Sequence, residues 1–547
     1  MGGAPPCKKG QSMKKLILLL TLLLSFVLLS SCVTENRDNG NEGGQEPHVC
    51  EFTVESTKST YIKERATCTE RAVYYLSCSC GKMGDETFSY GELAGHRYAK
   101  ITSSEFLVKE ATSKTAAIYL RSCSACGAVG TDTFVYGDPI KLTEEQKQYL
   151  PTSVTVTLYD VEGGVYGFTY NTLFCPEDPV IQIREEGKTE WREYVPRSYE
   201  TATLDASDTT VQYFISKAEI ALTPGTVYVY RISDRAKNVS TPEVILKTQD
   251  EGRDSFTFTH ISDSQAGHTE FGMVMEAING RSDFALHTGD VVQHAQYEYE
   301  WREMLDDNYE TVMSMPIMAI SGNHETTYAS TTYQTYDHFN NKIPDQSSTA
   351  NGYYYSFVYN DVKFIMLNTN DLVGNKIKDE QYNWLISELR NNTCRWTVVA
   401  MHNPMYSVGK YGSNEEKNAI ALALREQLGD VFYEYGVDLV LQGHDHTISR
   451  TYPIGKDGAA NSETTVEENG VSYIVDPDGV IYAMNGPAGT QQRVPEESYE
   501  DVYAYAETSK KASWADITVN NDTLTVTVKW IDGSGEHVYY TWGIKKS

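Results

Sequence analysis

Five apolar, strand-like runs each end in residues that bind metals or move protons: FTFTHISDSQ, DFALHTGDVVQ, MPIMAISGNHE, RWTVVAMHNP and VDLVLQGHDH. This feature most constrains what the chain can fold into. A strand that stops on Gly-Asn-His-Glu gains little packing, because an amide, an imidazole and a carboxylate are costly to bury without partners. Helix-like segments such as DEQYNWLISELRNN and EKNAIALALREQLGDVFYEYG lie between some of these runs. Strand–helix alternation predicts an α/β sheet covered on its faces. In such sheets the reactive groups gather where strands end and loops begin. The residues placed there are Asp263, Asp290, Asn323, His324, His402, His444 and His446. One Asp or His at a strand end is usually a cap or a hydrogen-bonded core residue; five successive strand ends of this kind are not.

Mixed carboxylate, amide and imidazole donors suit two divalent or trivalent transition metals. A carboxylate can bridge such a pair while imidazoles fill the remaining positions. Two ions about 3.5–4 Å apart stabilise the attacking and leaving oxygens of a displacement at phosphorus and lower the pKa of bound water towards neutrality. Neither His-Glu-x-x-His nor Gly-x-Ser-x-Gly occurs, which weighs against a zinc peptidase or a serine hydrolase.

Asp263, Gly289-Asp290, Gly322-Asn323-His324-Glu325, His402 and Gly443-His444-Asp445-His446, in this order, resemble the calcineurin-type metallophosphoesterases. The β-rich stretch ahead of them, with VYVYRISD, is similar to the N-terminal domain of the purple acid phosphatase branch. YYYSFVYNDVKFIMLNTN and QYNWLISEL also look like family segments, and ADITVNNDTLTVTVKWID reads as closing strands. The resemblance covers residues 150–547 and implies a dinuclear centre that hydrolyses phosphate esters by metal-activated hydroxide. The first metal takes Asp263, Asp290 and His446. The second takes Asp290 as bridge with Asn323, His402 and His444. His324 faces the substrate as transition-state stabiliser or proton donor, and Glu325 orients its neighbours. Two positions depart from family patterns: Gln293 stands where purple acid phosphatases carry a metal-binding tyrosine, and Gln265 where many relatives carry a histidine. Iron, zinc and manganese therefore stay open, and either Gln265 or water completes the first metal. Phosphate monoesters are the first substrate class, with phosphodiesters or nucleotides second. The rival reading is a surface binding protein with a degenerate phosphatase domain.

The expected architecture is multidomain: small Cys/His repeats, a fibronectin III-like β-sandwich over 151–248, and an α/β metallophosphoesterase over 252–547, two sheets flanked by helices. Within 48–137, YLSCSCGKMGDETFSYG matches YLRSCSACGAVGTDTFVYG, and Ala66-Thr67-Cys68 aligns with Ala111-Thr112-Ser113. Units this small need a staple. Structural zinc could use His48, Cys68, Cys78 and Cys80 in the first repeat, and His96, Cys123 and Cys126, one ligand short, in the second; disulfides are the alternative. MKKLILLLTLLLSFVLLSSC, Met13 to Cys32, reads as a lipoprotein signal with Met13 as its start, so 1–31 is removed, Cys32 is lipidated and 32–47 is a tether. That places the protein outside the cytoplasm of a bacterium, anchored to the membrane through Cys32. A formal net charge of -29 gives no basis for a nucleic-acid-binding surface, since phosphate backbones need clustered Lys and Arg. The partner that the resemblance implies is a small phosphate ester, and oligomeric state is left open.

Overall fold

The computed structural model describes residues 49–204, 207, 209–326, 334–344, 354–413, 418–496, 502–508 and 511–547. The signal segment 1–31, Cys32, the tether 32–47 and His48 lie outside the described residues. The chain divides into two compact units, with a boundary between Lys141 and Leu142.

The larger unit contains both β-rich regions that the sequence separates. Its downstream part, from residue 255 on, holds two extended sheets. One runs, edge to edge, through Ile317–Ala319, Phe284–His287, Ser255–Ile261, Ser513–Asn520, Thr523–Asp532, Gly535–Lys545, Val471–Val475 and Thr465–Glu468. The other runs through Tyr355–Tyr359, Val362–Met366, Trp396–Met401, Leu439–Gln442, Ile481–Asn485, Ile448–Thr451 and Tyr503–Glu507. Their inward faces share one core, in which Phe364 meets Phe258 and Phe284 edge-on at centroid distances of 5.1 and 5.4 Å. Helices His268–Ile278 and Glu298–Asp306 cover the outer face of the first sheet. Asp379–Arg390 and Ala419–Glu434 cover that of the second. The two-sheet, helix-flanked arrangement expected from sequence is therefore present. Ser255–Ile261, Phe284–His287 and Ile317–Ala319 run parallel, as do Trp396–Met401 and Leu439–Gln442. Parallel pairing brings the C-terminal ends of each set to one edge, and these are the five ligand-bearing strands.

The upstream region forms two antiparallel sheets. One orders Arg197–Leu204, Thr210–Ala221, Val165–Thr172 and Thr152–Asp160; the other orders Arg192–Tyr194, Pro179–Glu185, Val227–Asp234 and Val239–Ser240, with Val244–Lys247 also on Val227–Asp234. Its core residues Val156, Phe168, Ile181 and Tyr230 belong to the same hydrophobic cluster as Phe258 and Leu441. Polar contacts reinforce the junction. Glu298 accepts from Asn171 Nδ2 at 2.8 Å and faces His338 Nε2 at 3.1 Å, and Tyr230 donates to the Met313 carbonyl at 2.8 Å. The upstream sandwich and the downstream sheets are one packed body.

In the smaller unit each repeat is a small antiparallel sheet. The first pairs Ile62–Glu64, Ala72–Ser77 and Met83–Tyr90; the second pairs Tyr98–Ala99, Leu107–Lys109 and Val129–Tyr136 around Ala117–Cys123. Ser77 opposes Met83 as Ser122 opposes Val129, so Cys78 and Cys123 are equivalent positions.

Candidate metal centre

Each expected ligand stands just past its strand. Asp263 follows Ser255–Ile261, Asp290 follows Phe284–His287, His402 follows Trp396–Met401, and His444 and His446 follow Leu439–Gln442. Asn323 and His324 differ slightly: they open a one-turn helix, Asn323–Thr326, rather than ending the strand Ile317–Ala319. Asp263, Asp290, His444 and His446 all have positive φ, of 52°, 56°, 74° and 52°. Non-glycine residues rarely adopt this region, and such strain concentrates at functional sites. Here the turns aim four donors inward at once.

The donors fall into two groups that share one carboxylate. Asp263, Asp290 and His446 offer ligand atoms within 4.8 Å of one another, and so do Asp290, His402 and His444. His446 Nε2 lies 3.2 Å from Asp263 Oδ1. His402 Nε2 lies 3.3 Å from Asp290 Oδ2 and 3.0 Å from Asn323 Oδ1. Both imidazoles are fixed through their other nitrogen, His402 Nδ1 on the Thr288 carbonyl at 2.8 Å and His446 Nδ1 on that of Gln491 at 2.5 Å. This sets the tautomer that turns Nε2 to a metal. Burial disfavours charge on His444 and brings its pKa to about 3, leaving the neutral imidazole that metals bind. Burial also opposes charge on His402, yet Asp290 and Asp263 outweigh it and raise that pKa to about 9.

Glu325 is buried and binds no donor group of the metal set; it accepts from the backbone N–H groups of Asp290, Gly322 and Val291 at 2.8, 2.7 and 2.9 Å. It thus clamps together the two loops that carry Asp290 and Asn323, the orienting role expected from sequence. His324 donates its backbone N–H to Asp290 Oδ1 at 2.8 Å, and its Nδ1 lies 2.7 Å from the Gln293 carbonyl. Its side chain is 15% exposed, against 2% or less for His402, His446, Asp263 and Asp290, so it sits at the mouth of the cluster.

The two departures resolve differently. Gln265 is buried, its Nε2 3.3 Å from Asp290 Oδ2, while its Oε1 has no hydrogen-bond partner. An orphaned carbonyl oxygen beside the Asp263, Asp290 and His446 group fits a neutral oxygen ligand for a cation. Gln293 contributes its backbone carbonyl to His324 and its side chain to Gln491 at 3.4 Å. Together, the donor set, the shared Asp290 and the unpaired Gln265 oxygen fit a dinuclear centre.

Sequence reading missed the residues around His444. The Tyr411 ring lies 4.0 Å from the imidazole, and Arg493 Nη1 lies 3.2 Å from both the His444 carbonyl and Asp445 Oδ1. Neither follows a recognisable spacing: Tyr411 sits in a one-turn helix, Lys410–Ser413, and Arg493 in a loop, both distant in sequence from Gly443–His446.

Paired sheets flanked by helices, with an Asp/Asn/His cluster at the strand exits, define a metallophosphoesterase-type domain. Residues 256–447 match the family model of the calcineurin-like phosphoesterase, and purple acid phosphatases are among the proteins to which the chain is similar. An uncharacterised Mycobacterium tuberculosis protein is 28% identical over 50% of this chain and 57% of its own length. Purple acid phosphatase 21 of Arabidopsis thaliana is 27% identical over 54% of this chain and 64% of its own. The chain thus spans less than two thirds of these curated relatives. The structure of a purple acid phosphatase from yellow lupin (Lupinus luteus) seeds shares the fold, with a TM-score of 0.61 over 79% of this chain and 80% of the plant chain, at 15% identity.

Proposed function

We propose that the protein hydrolyses phosphate esters, monoesters first, at a dinuclear metal centre formed by Asp263, Asp290, Asn323, His402, His444 and His446, with Gln265 as a further oxygen donor. The observation that carries this reading is Asp290, common to two three-residue donor groups inside a calcineurin-like domain. Iron, zinc or manganese ions bound there supply positive charge to phosphate oxygens and acidify water. The chain's residues supply the rest. The Thr288 and Gln491 carbonyls hold two imidazoles in their binding tautomer, and Glu325 fixes the loops. His324, anchored at Nδ1, presents Nε2 at the mouth to hydrogen-bond a phosphate oxygen and to protonate the leaving oxygen.

The test is turnover of a chromogenic phosphomonoester against a matched diester, with metal analysis of the same sample. Monoester preference with bound metal supports the proposal. No turnover of either ester after addition of iron, zinc and manganese overturns it in favour of a binding protein. His324→Ala is expected to retain its metal and to slow turnover by roughly 10²–10⁴-fold, the range for loss of a general acid. Unchanged turnover would remove His324 from the mechanism.

We read the sheet order of residues 152–247 as fibronectin III-like, because it places the first, second, sixth and fifth strands in one sheet and the rest in the other, as immunoglobulin-type sandwiches do. The sequence of residues 13–32 supports a lipoprotein held outside the cytoplasm through Cys32; among the described residues no helix is long and apolar enough to cross a membrane. Cys32→Ser is expected to move the protein from the membrane fraction to the soluble fraction. Persistence in the membrane fraction would point to an uncleaved anchor.

A further inference from the structure

The two repeats lack what normally holds a domain together. Among the described residues, none of residues 49–141 belongs to a hydrophobic core cluster. Their buried apolar side chains are few: Ala72, Phe106, Ala117 and Phe134, with Cys78 and Cys123. Units so poor in core need a covalent or metal staple.

The structure regroups the cysteines relative to the sequence reading. Cys68 does not join Cys78 and Cys80. It stands with His96, Cys123 and Cys126, and the four ligand atoms lie within 4.8 Å of one another. The ligand that the second repeat lacked comes from the first. Cys50, absent from the sequence-based ligand set, takes the vacated place beside Cys78 and Cys80. The cause is the loop Thr67–Glu70, closed by Thr67 N–H on the Glu70 carbonyl at 2.8 Å and held by Ala94 N–H on the Thr67 carbonyl at 2.8 Å. It turns Cys68 away from its own sheet.

The distances discriminate between metal and disulfide. Cys68 Sγ lies 3.8 Å from Cys123 Sγ, and Cys126 Sγ lies 3.4 Å from His96 Nδ1. Tetrahedral zinc, with Zn–S of about 2.3 Å and Zn–N of about 2.0–2.1 Å, separates two sulfurs by roughly 3.8 Å and a sulfur from a nitrogen by roughly 3.5 Å. A disulfide needs about 2.05 Å. The backbone suits thiolates as well. Gly127 N–H closes a turn on the Cys123 carbonyl at 2.8 Å with φ 75°, as Gly81 does on Cys78 at 2.8 Å with φ 88°.

We propose that Cys68, His96, Cys123 and Cys126 form a structural Cys3His zinc site that ties the first repeat to the second. The first repeat hands the cysteine of its Ala-Thr-Cys turn on to the site of the second. This arrangement accounts for two substitutions between the repeats. Ser113 holds the place of Cys68 in an equivalent turn, closed by Thr112 N–H on Thr115 at 2.7 Å, and the segment after it leads to the helix Glu144–Tyr149 rather than to a third repeat. Tyr98 stands two residues after His96, where the first repeat has Cys50 two after His48; a repeat served by its predecessor needs no cysteine of its own there.

Elemental analysis of the purified full chain tests this. Cys68→Ser is expected to lose about one zinc per chain while phosphoester turnover stays unchanged, and Ser113→Cys to gain none. Cobalt added to the reduced, metal-stripped chain should give thiolate-to-cobalt absorption, which the sulfur-free phosphoesterase centre cannot produce, and Cys68→Ser should diminish it. Equal zinc in wild type and Cys68→Ser overturns the site. If that variant does not fold, wild type decides by alkylation. Cys68, Cys123 and Cys126 should resist the reagent until a chelator is added; equal labelling with and without chelator, or a mapped Cys68–Cys123 disulfide, overturns the proposal.

Discussion

Asp290→Asn is expected to leave the chain folded, strip it of both phosphoesterase-site ions and lower phosphomonoester hydrolysis on the order of a thousandfold or more. The carboxylate belongs to both donor groups, so its loss removes a ligand from each ion at once. Several kcal/mol of charge stabilisation depend on those ions, and each 1.36 kcal/mol is about tenfold in rate. The change also keeps the side chain's shape, so the His324 backbone N–H retains an oxygen to bond. Metal content must be read against Cys68→Ser, since zinc in the repeats is counted in the same sample. Two phosphoesterase-site ions and wild-type turnover in Asp290→Asn would refute the shared-ligand assignment.

Gly322→Ala should produce a comparable loss by a different route. A Cβ on Gly322 would lie 2.1 Å from Asp290 Oδ1 and 2.3 Å from the Asp290 backbone nitrogen. The neighbour is backbone held by Glu325, so it cannot swing aside as a flexible side chain would. Accommodation means moving the Asp290 loop, the Asn323 loop or both. We expect roughly 10–100-fold weaker metal binding, the scale of damage to groups that orient ligands, and about 1–3 kcal/mol of lost stability from overpacking. Metal titration followed by calorimetry would show both. Wild-type affinity with normal stability would mean that the loops are softer than this geometry implies.

The gathering of Asp263, Asp290, Asn323, His402, His444 and His446 was legible in the sequence because each follows an apolar run, and a strand exit is a local property. Gly322 was legible as part of Gly-Asn-His-Glu, but its reason, the approach of the Asp290 loop, lies in a contact across two strands. The Cys68 pairing was hidden for the same kind of reason. Spacing within one repeat suggested its own Cys78 and Cys80, whereas the turn at Thr67 sends it to the neighbour. Cys50 was passed over because its counterpart, Tyr98, breaks the repeat pattern. Tyr411, in a one-turn helix, and Arg493, in a loop, have no periodic context, and nothing in their local sequence announces that they meet His444. His268–Ile278 carries Phe271, Val274, Met275 and Ile278 on one buried stripe, a helical spacing that was available to be read.

The continuous core between the sandwich and the phosphoesterase bears on how this chain can be inherited and cut. A split near residue 250, which composition recommends, would uncover Phe168 and Tyr230 and strand the Glu298 carboxylate without Asn171. Glu298 would keep His338 but lose its bond from Asn171, and the apolar faces on both sides would meet water. Recombination can therefore pass this enzyme-like body on only as one inseparable cassette, with its upstream sheets as part of its wall. Among the described residues the repeats contribute nothing to that core, so their number and order are free of the constraint that binds the cassette together.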